Sequence, residues 1–408
     1  MTETSNPVTN SNALGWHLST ISAWFIPFGI QAVLYPWLVA FHLNESAERV
    51  GLAQMSLLIP NLFLILFGGL IADRYDERLI MIRLHVVIAF PSLILAMVVA
   101  SGGLSYSILI GYALIVGTIS AFMNPARDSM LNKVAGDQLQ TAVIKASGVQ
   151  FGVQVIGFLI AGSADRIGVV AILLMQAGLL LTGVYTAYKL PKGKVVVQTG
   201  QRQKSLSAIM EGLNIARADW RIMPAIIINI SIGLFYMSTF MVYVPILIRD
   251  HYGAQSSTMA LASILFMSGT IIATVILLRI KRIQRLGAAL MLALLMGGVA
   301  IFTLSFKPPL PVLLGVLVIW GMGAAVSMSM GRTIIQEFSP ATHRARILSL
   351  FQLGFMGGAP LGAVAMGQLI PALGLELTAM LPPAAMLLVL IYLFFFTNFS
   401  KLESGSKL

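Results

Sequence analysis

The chain of 408 residues is 58% hydrophobic and only 10% charged, with a mean hydropathy of +0.89. A soluble domain carries about a quarter charged residues, so too few charges are present to cover a water-facing surface of this size, and most of it must face lipid. The net charge of +11 does not mark a nucleic-acid partner, because the basic residues form short clusters between apolar runs rather than one patch, and the absence of cysteine excludes disulfides and thiolate metal or redox chemistry.

The first thirteen residues are polar and carry no Lys or Arg, so they lack the charged region and cleavage site of a signal peptide, and the first helix is expected to stay in the mature protein. Twelve apolar stretches of spanning length follow, at 14–41, 50–72, 82–101, 106–123, 141–163, 169–188, 223–248, 256–278, 286–306, 312–331, 347–369 and 378–397. Only helices satisfy the backbone of an open chain in lipid, and no stretch alternates in polarity as a barrel strand would. Of 26 basic residues, only Arg49, Arg166, Arg249 and Lys307 fall on one side when both termini are placed in the cytoplasm, as the positive-inside rule requires. The terminal Ser406-Lys407-Leu408 spells a peroxisomal address, which is set aside as a chance match of three residues.

In the first stretch, Trp24, Phe28, Gln31 and Tyr35 follow helical spacing and share a face. Gln54 and Asn61 share a face of the second stretch, and Gln150 and Gln154 one of the fifth. Asn229, Gly233, Tyr236 and Phe240 of the seventh each follow a first-stretch counterpart by 205 residues, and Gln352 lies in the eleventh. A lone amide in hydrocarbon is costly, so these faces line a cavity or glue helices together; both readings are open. The substrate-facing set is Trp24, Phe28, Gln31, Tyr35, Asn61, Gln150, Gln154, Asn229, Tyr236, Phe240 and Gln352. Amides and aromatics without fixed charge suit uncharged or amphipathic lipophilic molecules and argue against phosphates and dicarboxylates. The 22 methionines suit walls that repack around varied shapes, or a lipid-facing surface.

The longest polar stretch, Lys189 to Arg221, begins as a linker. It continues with Leu206, Ile209, Met210, Leu213 and Trp220 at helical spacing, an amphipathic helix lying on the membrane or packed on the bundle. Residues 132–168 and 336–374 each run from a polar loop into a Gly-rich helix ending in a turn with Gly, at an offset of 204 to 206. The expected organisation is therefore an all-α membrane protein of two parallel six-helix repeats, 1–188 and 223–408, joined by a cytoplasmic linker at 189–222.

The loop after the second stretch, Gly68-Gly69-Leu70-Ile71-Ala72-Asp73-Arg74-Tyr75-Asp76-Glu77-Arg78, resembles the signature loop of the major facilitator superfamily. Gly69 is expected to permit close helix approach, Asp73 to sit at a helix N-terminus, and Arg78 to bridge across, a latch for one face. Asn124-Pro125-Ala126-Arg127, Glu211-Gly212-Leu213 and Phe355-Met356-Gly357-Gly358-Ala359-Pro360-Leu361-Gly362 further resemble the subgroup holding the enterobactin exporter and the macrolide efflux proteins, the drug:proton antiporters and transmembrane secretion effectors. The resemblance implies an exporter of hydrophobic or aromatic small molecules, such as a drug, a siderophore or a secreted metabolite, in the bacterial inner membrane. Uptake, or flipping of a lysolipid, is the alternative on the same fold. It implies a conformational switch of Gly69, Asp73, Arg74, Arg78, Arg127 and Asp128, with Arg127 the partner of Asp73. The expectation includes a monomer among membrane lipids, no cofactor or metal, and no enzyme, because the five histidines (17, 42, 85, 251 and 343) form no catalytic constellation.

Three departures stand out. The acidic residue that the family often carries near His17 to Phe25 is missing, Glu77 stands where a basic residue is usual, and the second-half loop Arg279-Ile280-Lys281-Arg282 has no Asp. No Asp or Glu falls in the middle of any stretch, although such carboxylates are the usual proton relays. Protons as coupling ion rest on the resemblance, with Asp73, Asp128, His17 and His85 as candidate groups.

Overall fold

The computed structural model describes residues 12–192, 205–253, 255–280, 283–340 and 343–405, apart from a few side chains within them. Among these residues the protein is almost entirely helical, and ten helices are long and apolar enough to cross a membrane. The helices are α1 (Ala13–His42), α2 (Ala47–Arg74), α3 (Glu77–Ala100), α4 (Tyr106–Ala135), α5 (Leu139–Ala161) and α6 (Val169–Tyr188). They continue as α7 (Ser205–Ala218), α8 (Ile222–Tyr252), α9 (Ser256–Arg279), α10 (Leu286–Leu304), α11 (Leu310–Phe338) and α12 (Arg344–Phe396).

Local chemistry sets the ends and breaks. The Asp76 carboxylate accepts from the Arg78 backbone N–H at 3.0 Å and caps α3, satisfying one donor that a helix start leaves free. Gly253, at φ 57°, ends α8 in the left-handed conformation with its N–H on the Ile248 carbonyl, a conformation that side chains with a β-carbon disfavour. Gly374, at φ 77°, breaks α12. At 1.5 Å per residue, the 53 residues of α12 would run to about 80 Å, far more than one bilayer crossing, so the break divides it into two spans. The end of α1 widens into a π turn at Leu38–His42, and α8 contains two, at Ile232–Met237 and Thr239–Tyr243.

The chain forms two compact units, residues 1–34 with 63–198 and residues 35–62 with 199–408. In the first unit, Gly29 of α1 and Gly157 of α5 each leave no room for a β-carbon against the facing backbone. Small residues let helices approach closely where lipid gives no hydrophobic drive for association. Gly68, not the expected Gly69, makes the close approach of α2 to the Ala121 carbonyl of α4, whereas nothing lies within 4 Å of a β-carbon built on Gly69. Which of two adjacent glycines faces a neighbour depends on helix rotation, which the dipeptide does not encode.

The second unit takes in the end of α1 and the first half of α2, which the expected division at 188 assigned to the first repeat. Tyr35 donates to the Ala53 carbonyl at 3.2 Å. The Arg249 guanidinium of α8 donates to the carbonyls of Ala40 at 3.0 Å and Glu45 at 2.5 Å, and Gly51 and Gly367 pack α2 tightly on α12. These bonds and close contacts bring 35–62 into this unit. The linker helix α7 docks on α12: Glu211 accepts from Arg346 at 2.6 Å and lies 2.9 Å from His343 Nε2, while Gly212 meets the Leu350 side chain. Met210 and Trp220 remain exposed. The side chains of Leu206 and Ile209 lie outside the described residues.

Candidate substrate site

Within the first unit, α1, α3, α4 and α6 surround a cavity of about 10 Å³ whose walls include Trp24, Phe28, Gln31, Ser92, Tyr112 and Gln176. Its volume matches about one water molecule. Trp24 and Gln31 are buried, and Phe28 is 41% exposed. Gln176 donates to the Tyr112 hydroxyl at 3.3 Å. Trp24 packs edge-on against His85, centroids 5.7 Å apart. Among the lining residues none is Asp, Glu, Lys, Arg or His.

Three expected residues, Trp24, Phe28 and Gln31, therefore share one cavity. Tyr35, Asn229 and Tyr236 are engaged in packing. Tyr35 holds the Ala53 carbonyl. In the second unit the Asn229 amide donates to the Phe351 carbonyl at 2.6 Å, and the Tyr236 hydroxyl to the Leu294 carbonyl at 2.9 Å. Phe240 stacks on Phe266, centroids 4.5 Å apart, and both pack edge-on against Trp320, as Tyr236 does. The seventh-stretch face thus works as helix-to-helix adhesive in this conformation. Gln54 and Gln154 are buried, Asn61 and Gln150 half-buried, and Gln352 exposed. The Asn61 Oδ1 is buried with no partner among the described residues.

Tyr112, Ser92 and Gln176 were not anticipated as site residues. Gln176 alone left a sequence signal, an amide in the middle of an otherwise apolar stretch. Trp320, which anchors the second-unit cluster, sits in an apolar run and left none.

The switch residues are distributed as follows. The Asp73 side chain lies outside the described residues, so its pairing with Arg127 has no geometry to report. Arg127 stacks on Phe25 with its guanidinium carbon 4.8 Å from the ring centre and pairs with the exposed Asp128 at 3.3 Å. Arg78 is buried and stacks on Tyr188 of α6 at 4.7 Å, so it bridges α3 to α6. Arg74 is exposed. Glu77, the departure from the family pattern, is buried and forms an ion pair with Lys133 of α4 and a 2.7 Å hydrogen bond with Ser129. His17 is fully buried, and both of its ring nitrogens lack a partner among the described residues. His85 holds the Met81 carbonyl through Nδ1 at 2.8 Å.

The description of the transmembrane secretion effector family matches residues 13–407. The chain is 23% identical over 396 residues to the multidrug efflux pump Tap of Mycolicibacterium fortuitum, covering 93% of this chain and 94% of that protein. It is 20% identical over 363 residues to the staphyloferrin A transporter of Staphylococcus aureus, covering 88% and 90%. In fold it is similar to the nucleoside transporter NupG, at a TM-score of 0.75 with 14% identity and 93% and 98% coverage. It is also similar to a bacterial homolog of the human lysosomal transporter Spinster, at a TM-score of 0.65 with 14% identity and 97% coverage of each.

Proposed function

The chain belongs to the transmembrane secretion effector family of major facilitator transporters, and from that premise we propose that it is a secondary active exporter of hydrophobic or aromatic small molecules, working by alternating access. The observation that carries this reading is similarity over almost the whole of both chains to a multidrug efflux pump. The walls of the first-unit cavity, aromatic and amide without a fixed charge, support lipophilic rather than anionic cargo. The similarity to a siderophore transporter supports a secreted metabolite as one form of that cargo.

Alternating access fits an architecture of twelve crossings in two repeats. That count follows when α2 is included with the ten spanning helices and α12 is divided at Gly374. The repeat has a packing counterpart: Gly29 and Gly157 bring α1 and α5 together, and Gly233 and Gly362, 204 and 205 residues later, bring α8 and α12 together in the same way. In this reading the protein lies in a bacterial inner membrane with both termini in the cytoplasm, supported by the distribution of Lys and Arg. Protons are the coupling ion in this reading, and the protein acts as a monomer. Among the candidate groups, His17 combines complete burial with two unmatched nitrogens.

The test is accumulation of a panel of lipophilic fluorescent compounds in cells deprived of their own efflux pumps. Expression of the chain is expected to lower accumulation of several of them, and a protonophore is expected to abolish the difference. Unchanged accumulation across the panel despite good membrane expression rules out multidrug export.

A further inference from the structure

Residues 35–62 continue into the first unit at both ends and yet pack as part of the second. They comprise the end of α1, the turn that follows and the first half of α2. In both helices the change of unit falls beside a proline: Pro36 lies two residues after Leu34, and Pro60 two residues before Leu62. A proline inside a helix leaves the carbonyl four residues earlier without its bond, so each helix bends most easily there. Gly51 of α2 and Gly367 of α12 leave no room for a β-carbon against the facing backbone, so no side chains interlock at that contact. At the end of α8, the Arg249 Nη1 donates to the carbonyls of both Ala40 and Glu45. The Asp250 carboxylate accepts from Nε at 2.6 Å and from Nη2 at 3.3 Å, which fixes the plane of the guanidinium. The Arg249 side chain is 18% exposed and that of Asp250 42%, so water reaches this corner and can take the place of the broken bonds. The Tyr236 bond to Leu294, by contrast, is buried, and breaking it strands a polar group.

We propose that residues 35–62 are a hinged gate at the face where α1 ends, with Arg249 as its latch. This rests on the alternating-access export reading above, in which that face is the outer one. To release cargo there, the segment leaves α8 and α12 while α1 and α2 stay continuous with the first unit. Bending at Pro36 and Pro60 permits this without unfolding either helix. The Tyr35 hydroxyl on the Ala53 carbonyl ties the two arms of the segment, so they move as one piece. Arg249 grips main-chain carbonyls at a helix end, where acceptors are free of intrahelical donors. Asp250 neighbours Arg249 on the same helix, so the guanidinium keeps its counter-charge whether the latch is open or shut, and opening leaves no charge unpaired.

The chain has no cysteine, so spin labels attach only to introduced pairs. Glu48→Cys with Gln255→Cys spans the gate and the end of α8, and Val312→Cys with Gln255→Cys lies wholly outside the gate; all three positions are exposed. Pulsed spin-resonance distances in the full-length protein, held in lipid nanodiscs, are compared for the native Arg249, Arg249→Met and Arg249→Gln; the Gln variant decides the matter if the Met variant misfolds. The ratio of long to short distances in the Glu48–Gln255 pair is expected to rise about tenfold or more in both variants, the value of a hydrogen bond to a charged group. The Gln255–Val312 distance is expected to stay as it is. An unaltered Glu48–Gln255 distance, or an equal change in both pairs, overturns the latch. Cross-linking the Glu48 and Gln255 cysteines at their short distance, with Arg249 intact, is expected to stop export, and undiminished export by the cross-linked protein overturns the gate. The distances need no cargo and so are read apart from export. Export with distances indifferent to Arg249 leaves the exporter standing without the latch. Opening that depends on Arg249 in a chain that exports nothing leaves the latch standing without the exporter.

Discussion

The two units treat corresponding helix faces in opposite ways. In α1, Gln31 and Trp24 border a small void that Tyr112, Ser92 and Gln176 also line. In α8, the residue 205 positions after Gln31 is Tyr236, whose hydroxyl is spent on the Leu294 carbonyl and whose ring joins Phe240, Phe266 and Trp320 in a filled aromatic cluster. One face borders a void; the other is filled. Positions with corresponding glycine contacts therefore need not carry corresponding side-chain surfaces. Side-chain size at a few positions decides which of the two faces is filled and which leaves a void.

The largest expected effect tests the rigid side. Trp320 is 2% exposed, and Trp320→Ala should cost about 3–5 kcal/mol, the usual range for removing a buried aromatic. Phe28→Ala, at a half-open position, should cost less than about 1 kcal/mol yet change which compounds are exported. Thermal unfolding of the two purified variants, set beside accumulation assays, checks both. Comparable destabilisation by the two would erase the contrast between the units.

A smaller effect separates the positions related by the repeat. Tyr236→Phe removes a bond to a main-chain carbonyl and should lower stability by about 0.6–1.7 kcal/mol, the range for hydrogen bonds between membrane helices, with substrate range preserved. Gln31→Ala should do the reverse, shifting relative export of different compounds with little change in unfolding. If Gln31→Ala leaves export of every compound unaltered, α1 contributes no recognition.

How far the sequence could be read depended on how regular each segment is. The membrane-spanning helices follow from composition and hydropathy, which act over many residues. The divided α12 was also legible, because polar and glycine residues separate its two apolar runs. The seventh-stretch face was read from Asn229, Gly233, Tyr236 and Phe240 on the assumption of an unbroken α-helix. Two π turns lie across that run, and a wider turn rotates everything beyond it relative to what came before. Tyr236 and Phe240 accordingly meet Trp320. Gln176 presents a different obstacle. An isolated amide in an apolar stretch reads equally well as helix glue or ligand contact, and only the position of Tyr112, 64 residues away, shows that one of its ends is unmatched. The Glu77–Lys133 pair was hidden for a related reason: its members lie in different helices, and Glu77 departs from the family pattern that guides the reading of that loop.

The smallest effect concerns the linker helix, which docks on α12 through Glu211 and Gly212. The His343 side chain hydrogen-bonded to Glu211, and then the charge of Arg346, hold the Glu211 carboxyl below its ordinary value of 4.5, against a partial rise from desolvation. A carboxyl with a lowered folded value contributes stability that is complete above its unfolded value and is lost as pH falls through the folded one. Docking should therefore be insensitive to Glu211 between pH 7 and about 5 and should weaken below about pH 4. The pair is solvent-exposed, so it is screened, and the loss should shrink further in high salt. Glu211→Gln should reproduce the acid-released state at neutral pH. Trp220, half-exposed next to α7, provides the readout as the emission difference between the chain and its Trp220→Phe variant. An acid transition of the same size in Glu211→Gln would assign the release to another group. Its disappearance would make the linker a third element, beside cavity and cluster, whose attachment depends on a few side chains rather than on the repeat.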